Sequence, residues 1–183
     1  RNGYALGLQV IPLSAGEVNV WADNVYLGLS SKNIEGFSAA DHQLTLCEIG
    51  GTSDDIISVG AYATRTTYRL LGESQDRTLD GETEGVLCSF SSVGPTPDGR
   101  AKPEVTAPGC LTLSAVSSHD NSGTVLSGHA YDYNDLTVRY GYMQGTSMAA
   151  PVVSGVVALM LQANPTLPTA TAKQLLMEPA RES

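Results

Sequence analysis

The stretch that decides the fold of this 183-residue chain is Gly145-Thr146-Ser147-Met148-Ala149-Ala150-Pro151. A glycine followed by helix-favouring residues predicts a turn that leads directly into a helix. Ser147 then lies at the helix N-terminus, where the first N–H groups are unpaired and the helix dipole is positive. This position suits a nucleophile whose reaction creates an oxyanion, because a backbone N–H already faces the new charge. Pro151 is predicted in the first turn, where no donor is needed.

The same residues also have a purely structural interpretation. Serine and threonine are the usual N-caps of helices, so Thr146 or Ser147 could serve only as a cap. Considered as a helix start alone, the segment favours this alternative, and its physics does not single out a nucleophile. Gly145 in turn fits a place where a substrate chain comes close to the backbone.

The residues after this segment carry the period of an amphipathic helix. Apolar residues with i, i+3, i+4, i+7 and i+8 spacing are Val153, Val156, Val157, Met160 and Leu161. Asn164-Pro165 is predicted to end this helix. Thr169 or Thr171 can then cap a second helix that runs through Leu176.

Upstream, short apolar runs predict strands at residues 56–62, 86–90 and 111–116. The charged stretch 65–85 and the polar stretch 119–135 predict surface loops. Short strands followed by C-terminal helices indicate an α/β fold. Near the N-terminus, alternating residues 4–11 and 18–21 predict a β-hairpin.

Four segments resemble, in order, the motifs of the subtilase family of serine proteases. They are Ile57-Ser58-Val59-Gly60-Ala61, Phe90-Ser91-Ser92-Val93-Gly94-Pro95, the stretch Asp98 to Gly109 (DGRAKPEVTAPG), and Gly145 to Pro151. The resemblance covers about residues 55–178. It implies that residues 51–183 are the C-terminal portion of a subtilisin-like, three-layer parallel-sheet α/β fold. Residues 1–50 then look like the tail of a β-rich insertion.

By this resemblance, Ser147 attacks the scissile carbonyl of a polypeptide substrate and forms an acyl-enzyme. Its backbone N–H supplies one oxyanion donor. Thr146 is expected to support the same oxyanion hole, and Gly145 to border the substrate channel. Gln144 replaces the asparagine or serine that the family often has before this glycine, so the local substrate contacts are left open.

The resemblance does not extend to the family's other catalytic segments. The contexts of its histidine, aspartate and oxyanion asparagine are absent, and His42, His119 and His129 lack the expected surroundings. We therefore expect the chain alone to be inactive and its parent to be an endopeptidase, secreted or in the cell envelope. The alternative is a pseudoprotease or protein-binding module of the same fold. The missing N-terminal part should dock on the chain, and its absence should promote self-association.

Composition excludes several other classes of function. The formal net charge is −9 and no Lys/Arg run exists, which disfavours nucleic-acid binding. The longest uncharged apolar stretch, 148–163, is shorter than the roughly 20 residues that span a bilayer, so no membrane span is predicted.

The cysteines and the acidic loop residues are more typical of structural and solvated positions than of metal or redox sites. The three cysteines, Cys47, Cys88 and Cys110, cannot all pair within the chain, and small buried thiols are the favoured interpretation. Acidic groups at Asp54-Asp55 and at residues 132–135 could hold Ca²⁺, but solvated loops are favoured. No metal or other cofactor is predicted.

Overall fold

A computed structural model of the chain describes residues 49–120, 126–133 and 136–180, with positions 11, 13–16, 18 and 43–46 before them. The chain divides into two compact units, Arg1–Ala40 and Asp41–Ser183. Every element below belongs to the second unit. The predicted N-terminal hairpin lies outside the described residues, and a domain boundary at residue 50 stays a prediction.

The described part is a mixed α/β arrangement in which strands precede two C-terminal helices. A short 3-10 helix spans Ile49–Gly51. The strands are β1 (Val59–Ala63), β2 (Thr67–Tyr68), β3 (Arg77–Thr78), β4 (Val105–Cys110), β5 (Thr112–Val116), β6 (Leu126–Tyr133) and β7 (Leu136–Met143). The helices are α1 (Thr146–Ala163) and α2 (Thr169–Ala180). The predicted end of the first helix and the α/β class are confirmed.

The centre of the fold is the parallel pair β1–β4, in which Val59 lies opposite Val105 and Ala61 opposite Ala107. Helix α1 packs against both strands. The buried cluster here consists mostly of small side chains, which let the helix come close to the strands. Its members are Ala61, Ala63, Cys88, Val105, Ala107, Cys110, Ala149 and Val153.

Helix α1 is long and apolar enough to cross a membrane if length and composition are the only criteria. Its buried residues are Ala149 and Val153, which face the strand pair. A core helix of a soluble protein passes the same test. Four large apolar residues of α1 are nevertheless exposed: Val152, Val156, Leu159 and Leu161. The predicted apolar face is therefore only partly covered in this chain.

The second sheet is antiparallel, with β7 between β5 and β6. The prediction that residues 119–135 form only a loop is wrong, because β6 is a strand of eight residues within this stretch. Its many small and polar side chains resemble those of a loop. The pairing of β6 with β7 shifts register between Ser127 and His129. Gly128 fits there because a Cβ would lie 2.7 Å from a ring carbon of Tyr142.

The predicted strand over residues 86–90 is also wrong. Only an isolated bridge, from Leu87 to Tyr62, forms there. Residues 65–85 are mostly exposed, as predicted for a surface loop, and contain the two-residue strands β2 and β3.

The cysteines depart from the sequence prediction of buried free thiols. Cys88 and Cys110 are buried, as expected, but they form a disulfide. The Cys88 N–H donates to the Ala61 carbonyl at 2.8 Å, which holds Cys88 beside β1, and the last residue of β1, Ala63, pairs with Cys110. Sequence spacing alone could not show this proximity. Cys47 lies outside the described residues.

A buried ion network holds the start of β4. The side chains of Lys102 and Glu104 are 1% and 4% exposed, and their Nζ and Oε1 atoms are 2.8 Å apart. Lys173 of α2 approaches the same Oε1 at 2.7 Å, and the Ser58 N–H donates to Glu104 Oε2 at 2.7 Å. Three parts of the chain therefore meet at one carboxylate.

The network keeps Glu104 ionised. Burial raises the pKa of its carboxyl, but the hydrogen bonds from Lys102, Lys173 and the Ser58 N–H together outweigh burial. The pKa of Glu104 therefore lies below its ordinary value of 4.5. A carboxylate with a lowered pKa stabilises the fold above its ordinary pKa, and this contribution is lost as the pH falls through the folded-state value.

We expect Glu104→Gln to lower the free energy of unfolding at pH 7 by about 3–5 kcal/mol, because it leaves Lys102 buried without its carboxylate. The wild type should also lose stability more steeply than the variant as the pH falls below 4.5. Urea unfolding followed by circular dichroism, at a series of pH values, measures both effects.

The matched control is Glu178→Gln, since Glu178 is an exposed glutamate of helix α2, the helix that also carries Lys173. It should change the free energy of unfolding by less than about 0.5 kcal/mol. If Glu104→Gln kept the wild-type stability and acid dependence, the network would not hold the strand.

Candidate active site

Helix α1 begins as predicted, but no side chain caps its N-terminus. Gly145 is the N-cap residue with φ 145° and ψ 157°, and no side chain makes a capping hydrogen bond. A positive φ of this kind favours glycine. The alternative in which Thr146 or Ser147 serves only as an N-cap is therefore wrong.

The turn before Ser147 is fixed to the parallel strand pair by one backbone hydrogen bond. The Gly145 N–H donates to the Gly109 carbonyl at 2.8 Å, and the Met148 N–H donates back to the Gly145 carbonyl at 2.9 Å. Gly109 belongs to β4, which is itself paired with β1. The position of Ser147 is thus set by the core and not by a free loop.

Close packing at Gly109 brings β4, β1 and α1 together. A Cβ on this residue would lie 2.4 Å from the Ala61 Cβ, 3.0 Å from the Gly145 carbonyl oxygen and 3.3 Å from the Ala149 Cβ. No side chain fits in this space. Glycine at this position is therefore what allows the Gly145 N–H to reach its acceptor.

Ser147 is exposed, whereas Thr146 and Gly145 are half-buried. Within the described part of the chain, the Ser147 hydroxyl makes no hydrogen bond. As the second residue of α1, Ser147 also has a backbone N–H without a partner inside the helix. The site thus offers a free hydroxyl and a free donor on one residue. The predicted roles of Thr146 and Gly145 in the site remain predictions.

Pro151 lies deeper in the helix than the sequence suggested. It follows the first helical residue, Thr146, by five positions, so it is in the second turn. Proline has no N–H, and the α-helical acceptor of that N–H would be the carbonyl of Ser147. The Ser147 carbonyl therefore lacks the partner that a helix normally gives it.

None of the described histidines hydrogen-bonds to Ser147. His119 is exposed, with its Nδ1 3.3 Å from the Ser118 hydroxyl. His129 lies on strand β6, where its ring stacks against that of Tyr131 at a centroid distance of 6.3 Å. The prediction that His129 lies in a loop is thus wrong. His42 lies outside the described residues.

One group of residues in the described ranges has the ligand types of a metal site, namely Glu82, Cys88 and Cys110. The two sulfur atoms are bonded to each other, and the Glu82 carboxylate accepts hydrogen bonds from Ser89. Such a group does not fit a metal ion in this state. The acidic loop residue Asp54, a candidate calcium ligand by sequence, has its carboxylate 3.5 Å from Arg100 Nη1.

Comparison with known proteins gives a family match over most of the chain. Residues 9–183 match the subtilase family. The chain is 30% identical over 165 residues to the serine protease AprX of Bacillus subtilis, a match that covers 90% of this chain and 32% of AprX. It is 30% identical over 167 residues to the minor extracellular protease Vpr of the same organism, covering 91% of this chain and 18% of Vpr.

An uncharacterized protein of Aquifex aeolicus, aq_aa18, is 40% identical over 118 residues, which are 61% of this chain and 44% of that protein. The chain therefore spans less than half the length of each of these relatives.

We expect Gly109→Ala to destabilise the chain by about 1–3 kcal/mol, because the added methyl overpacks the contact between β4, β1 and α1. Amide exchange at Gly145 should also become faster, since its hydrogen bond to residue 109 is displaced. Thermal unfolding and hydrogen exchange with mass spectrometry measure the two effects.

The control is Gly155→Ala in the exposed part of α1, where a Cβ has no neighbour within 4 Å. This change should stabilise the helix by up to about 1 kcal/mol and leave exchange at Gly145 unaltered. Equal behaviour of the two variants would show that Gly109 does not position the turn.

Proposed function

Because this chain belongs to the subtilase family, we propose that it is part of a serine endopeptidase in which Ser147 is the nucleophile. The observation that carries the proposal is the position of Ser147. Its hydroxyl is exposed at the N-terminus of a helix whose first turn is tied to the core through Gly145 and Gly109. A nucleophile needs such rigid placement, because small displacements of the attacking atom are costly to the rate.

The proposed reaction is hydrolysis of a peptide bond in two steps. The Ser147 Oγ bonds to the scissile carbonyl carbon while a general base takes its proton, and the C–N bond then breaks as the amine leaves with that proton. Water hydrolyses the resulting ester and frees the serine. The Ser147 N–H is the proposed oxyanion donor, with Thr146 supporting the same hole and Gly145 bordering the substrate channel.

The general base and its aspartate are proposed to lie in a part of the parent protein outside this chain. Two observations support this: none of the described histidines hydrogen-bonds to Ser147, and the chain spans only 32% of AprX. A serine hydroxyl without a base is a poor nucleophile. We therefore propose that the chain by itself is inactive.

The exposed apolar residues of α1 are the proposed docking surface for that missing part. Leu159 is 66% exposed, and Val152 and Val156 are each 41% exposed; their i, i+4, i+7 spacing places the three on one face of the helix. Apolar residues exposed together on one helix mark an interaction surface. In the isolated chain the same surface should drive self-association.

A binding role without catalysis is the second candidate. It is favoured by the absence, among the described residues, of a base that hydrogen-bonds to the Ser147 hydroxyl. The distinction lies in the parent protein: a base that reaches the Ser147 hydroxyl makes an enzyme, and its absence makes a pseudoprotease.

An extracellular or cell-envelope location is proposed for the parent. One relative, Vpr, is named as an extracellular protease. The buried Cys88–Cys110 disulfide is consistent with this location, because disulfides persist mainly in oxidising compartments.

A fluorophosphonate probe, which labels activated serines, tests the proposed nucleophile. We expect labelling in the parent protein, its loss in Ser147→Ala, and no labelling of the isolated chain. The matched control is Ser154→Ala, because Ser154 is an exposed serine of the same helix whose hydroxyl donates to the Ala150 carbonyl. That control should keep full labelling. Strong labelling of the isolated chain would contradict the proposed division of the site.

Light scattering of the isolated chain tests the docking surface. We expect oligomers whose mass increases with concentration, and a shift towards monomer in Leu159→Lys. Leu71→Lys changes a similarly exposed leucine, 53% exposed, in the loop 65–85, and it should leave association unchanged. A monomeric wild type would count against the surface.

A further inference from the structure

Strands β6 and β7 place three aromatic rings together on one face of the antiparallel sheet. His129 pairs with Tyr140, and Tyr131 pairs with Val138. The His129 and Tyr131 rings are stacked with centroids 6.3 Å apart, and the Tyr131 and Tyr140 rings meet edge to face at 6.1 Å. We name His129, Tyr131 and Tyr140 the aromatic strip.

The aromatic strip faces solvent. Tyr131 is 60% exposed, His129 is exposed, and Tyr140 is half-buried. Tyr142, two residues further along β7, is by contrast buried and packs its ring against that of Tyr68. On this face of β7, Tyr142 therefore belongs to the buried part of the fold, and Tyr140 lies where the face becomes accessible to solvent.

The chain is acidic, both overall and in the segment that contains the aromatic strip. Residues 117–143 contain three aspartates and one arginine, with no glutamate or lysine, and the whole chain has a formal charge of −9. Arg139 and Asp132 both lie on the opposite face of the sheet from the aromatic strip, where Arg139 donates to the Ser118 carbonyl at 2.7 Å and Asp132 accepts from the Thr137 hydroxyl. Open ring faces in an acidic region favour cations, because the π face of an aromatic ring is negative.

The aromatic strip is also directly connected to the nucleophile segment. β7 ends at Met143, two residues before Gly145. Tyr140 lies three residues before the end of the strand, which corresponds to about 10 Å of extended chain. A few further residues of an extended substrate are therefore enough to connect the two places.

We propose that the aromatic strip is an exosite that binds a basic segment of the polypeptide substrate. Arginine or lysine side chains of that segment lie over the rings of Tyr131 and Tyr140. This inference rests on the proposed protease function for its biological meaning, but the binding itself requires no catalysis. Cations at alternate positions fit best, because alternate residues of an extended peptide point to the same side.

Two acetylated 12-residue peptides test the chemistry of the exosite. One has arginine at every second position, and the other has citrulline there, which keeps the shape but removes the charge. Isothermal titration calorimetry with the 183-residue chain should show the arginine peptide binding at least about fivefold more tightly. Equal affinities, or no binding of the arginine peptide at millimolar concentration, would overturn the proposal.

Variants of Tyr131 test the location. Tyr131→Phe keeps the ring and should retain binding, whereas Tyr131→Leu keeps the apolar surface, loses the π face and should weaken binding by about threefold to tenfold. Because Tyr131 is exposed, circular dichroism should show both variants folded. If Tyr131→Leu bound like the wild type, or amide shift changes mapped away from β6 and β7, the exosite would be refuted.

The exosite and the proposed function fail separately. If the wild-type parent protein were not labelled by the probe but the chain still bound the arginine peptide more tightly, the nucleophile role of Ser147 would be refuted and the exosite would stand. Labelling without discrimination between the arginine and citrulline peptides would do the reverse.

Discussion

One backbone hydrogen bond, from the Gly145 N–H to the Gly109 carbonyl, is the constraint on which the site depends. It forms only because β4 approaches α1 with no side chain between them, and this requires glycine at position 109. The same approach buries Ala149 against the strand pair. Core packing and placement of Ser147, the proposed nucleophile, are therefore one requirement, since loosening the packing also displaces the turn before Ser147.

Strand β4 can carry this constraint because it is held at both ends. At its start, Lys102, Glu104 and Lys173 form a buried ion network that also includes the Ser58 N–H. At its end, Cys110 is bonded to Cys88, whose backbone is hydrogen-bonded to β1. A buried ion pair is weak evidence for added stability, but it specifies which groups meet. Here it fixes the register from which Gly109 reaches the helix.

The sequence predicted local features well and contacts between distant residues poorly. Short-range patterns and family motifs predict both ends of α1 and the strand β1, and the structure confirms them. The strand β6 is not predictable from its own residues, because its sequence, LSGHAYDY, is polar and glycine-containing. Its pairing with β7 defines it as a strand. The Cys88–Cys110 pair was missed for the same reason, since pairing depends on how the strands bring distant residues together.

Helix α1 and the Ser147 hydroxyl at its start are both left partly uncovered by the described residues. A helix with an apolar composition whose described buried residues are only Ala149 and Val153 is energetically incomplete, because exposed apolar area stays in contact with water. The Ser147 hydroxyl at its N-terminus is likewise without a partner among the described residues. The proposed docking of another part of the parent protein would cover the helix and bring a base to the hydroxyl, and so satisfy both. Assembly of the core and activation of the serine would then be the same step, and the free energy of burying the helix would also hold the base in place.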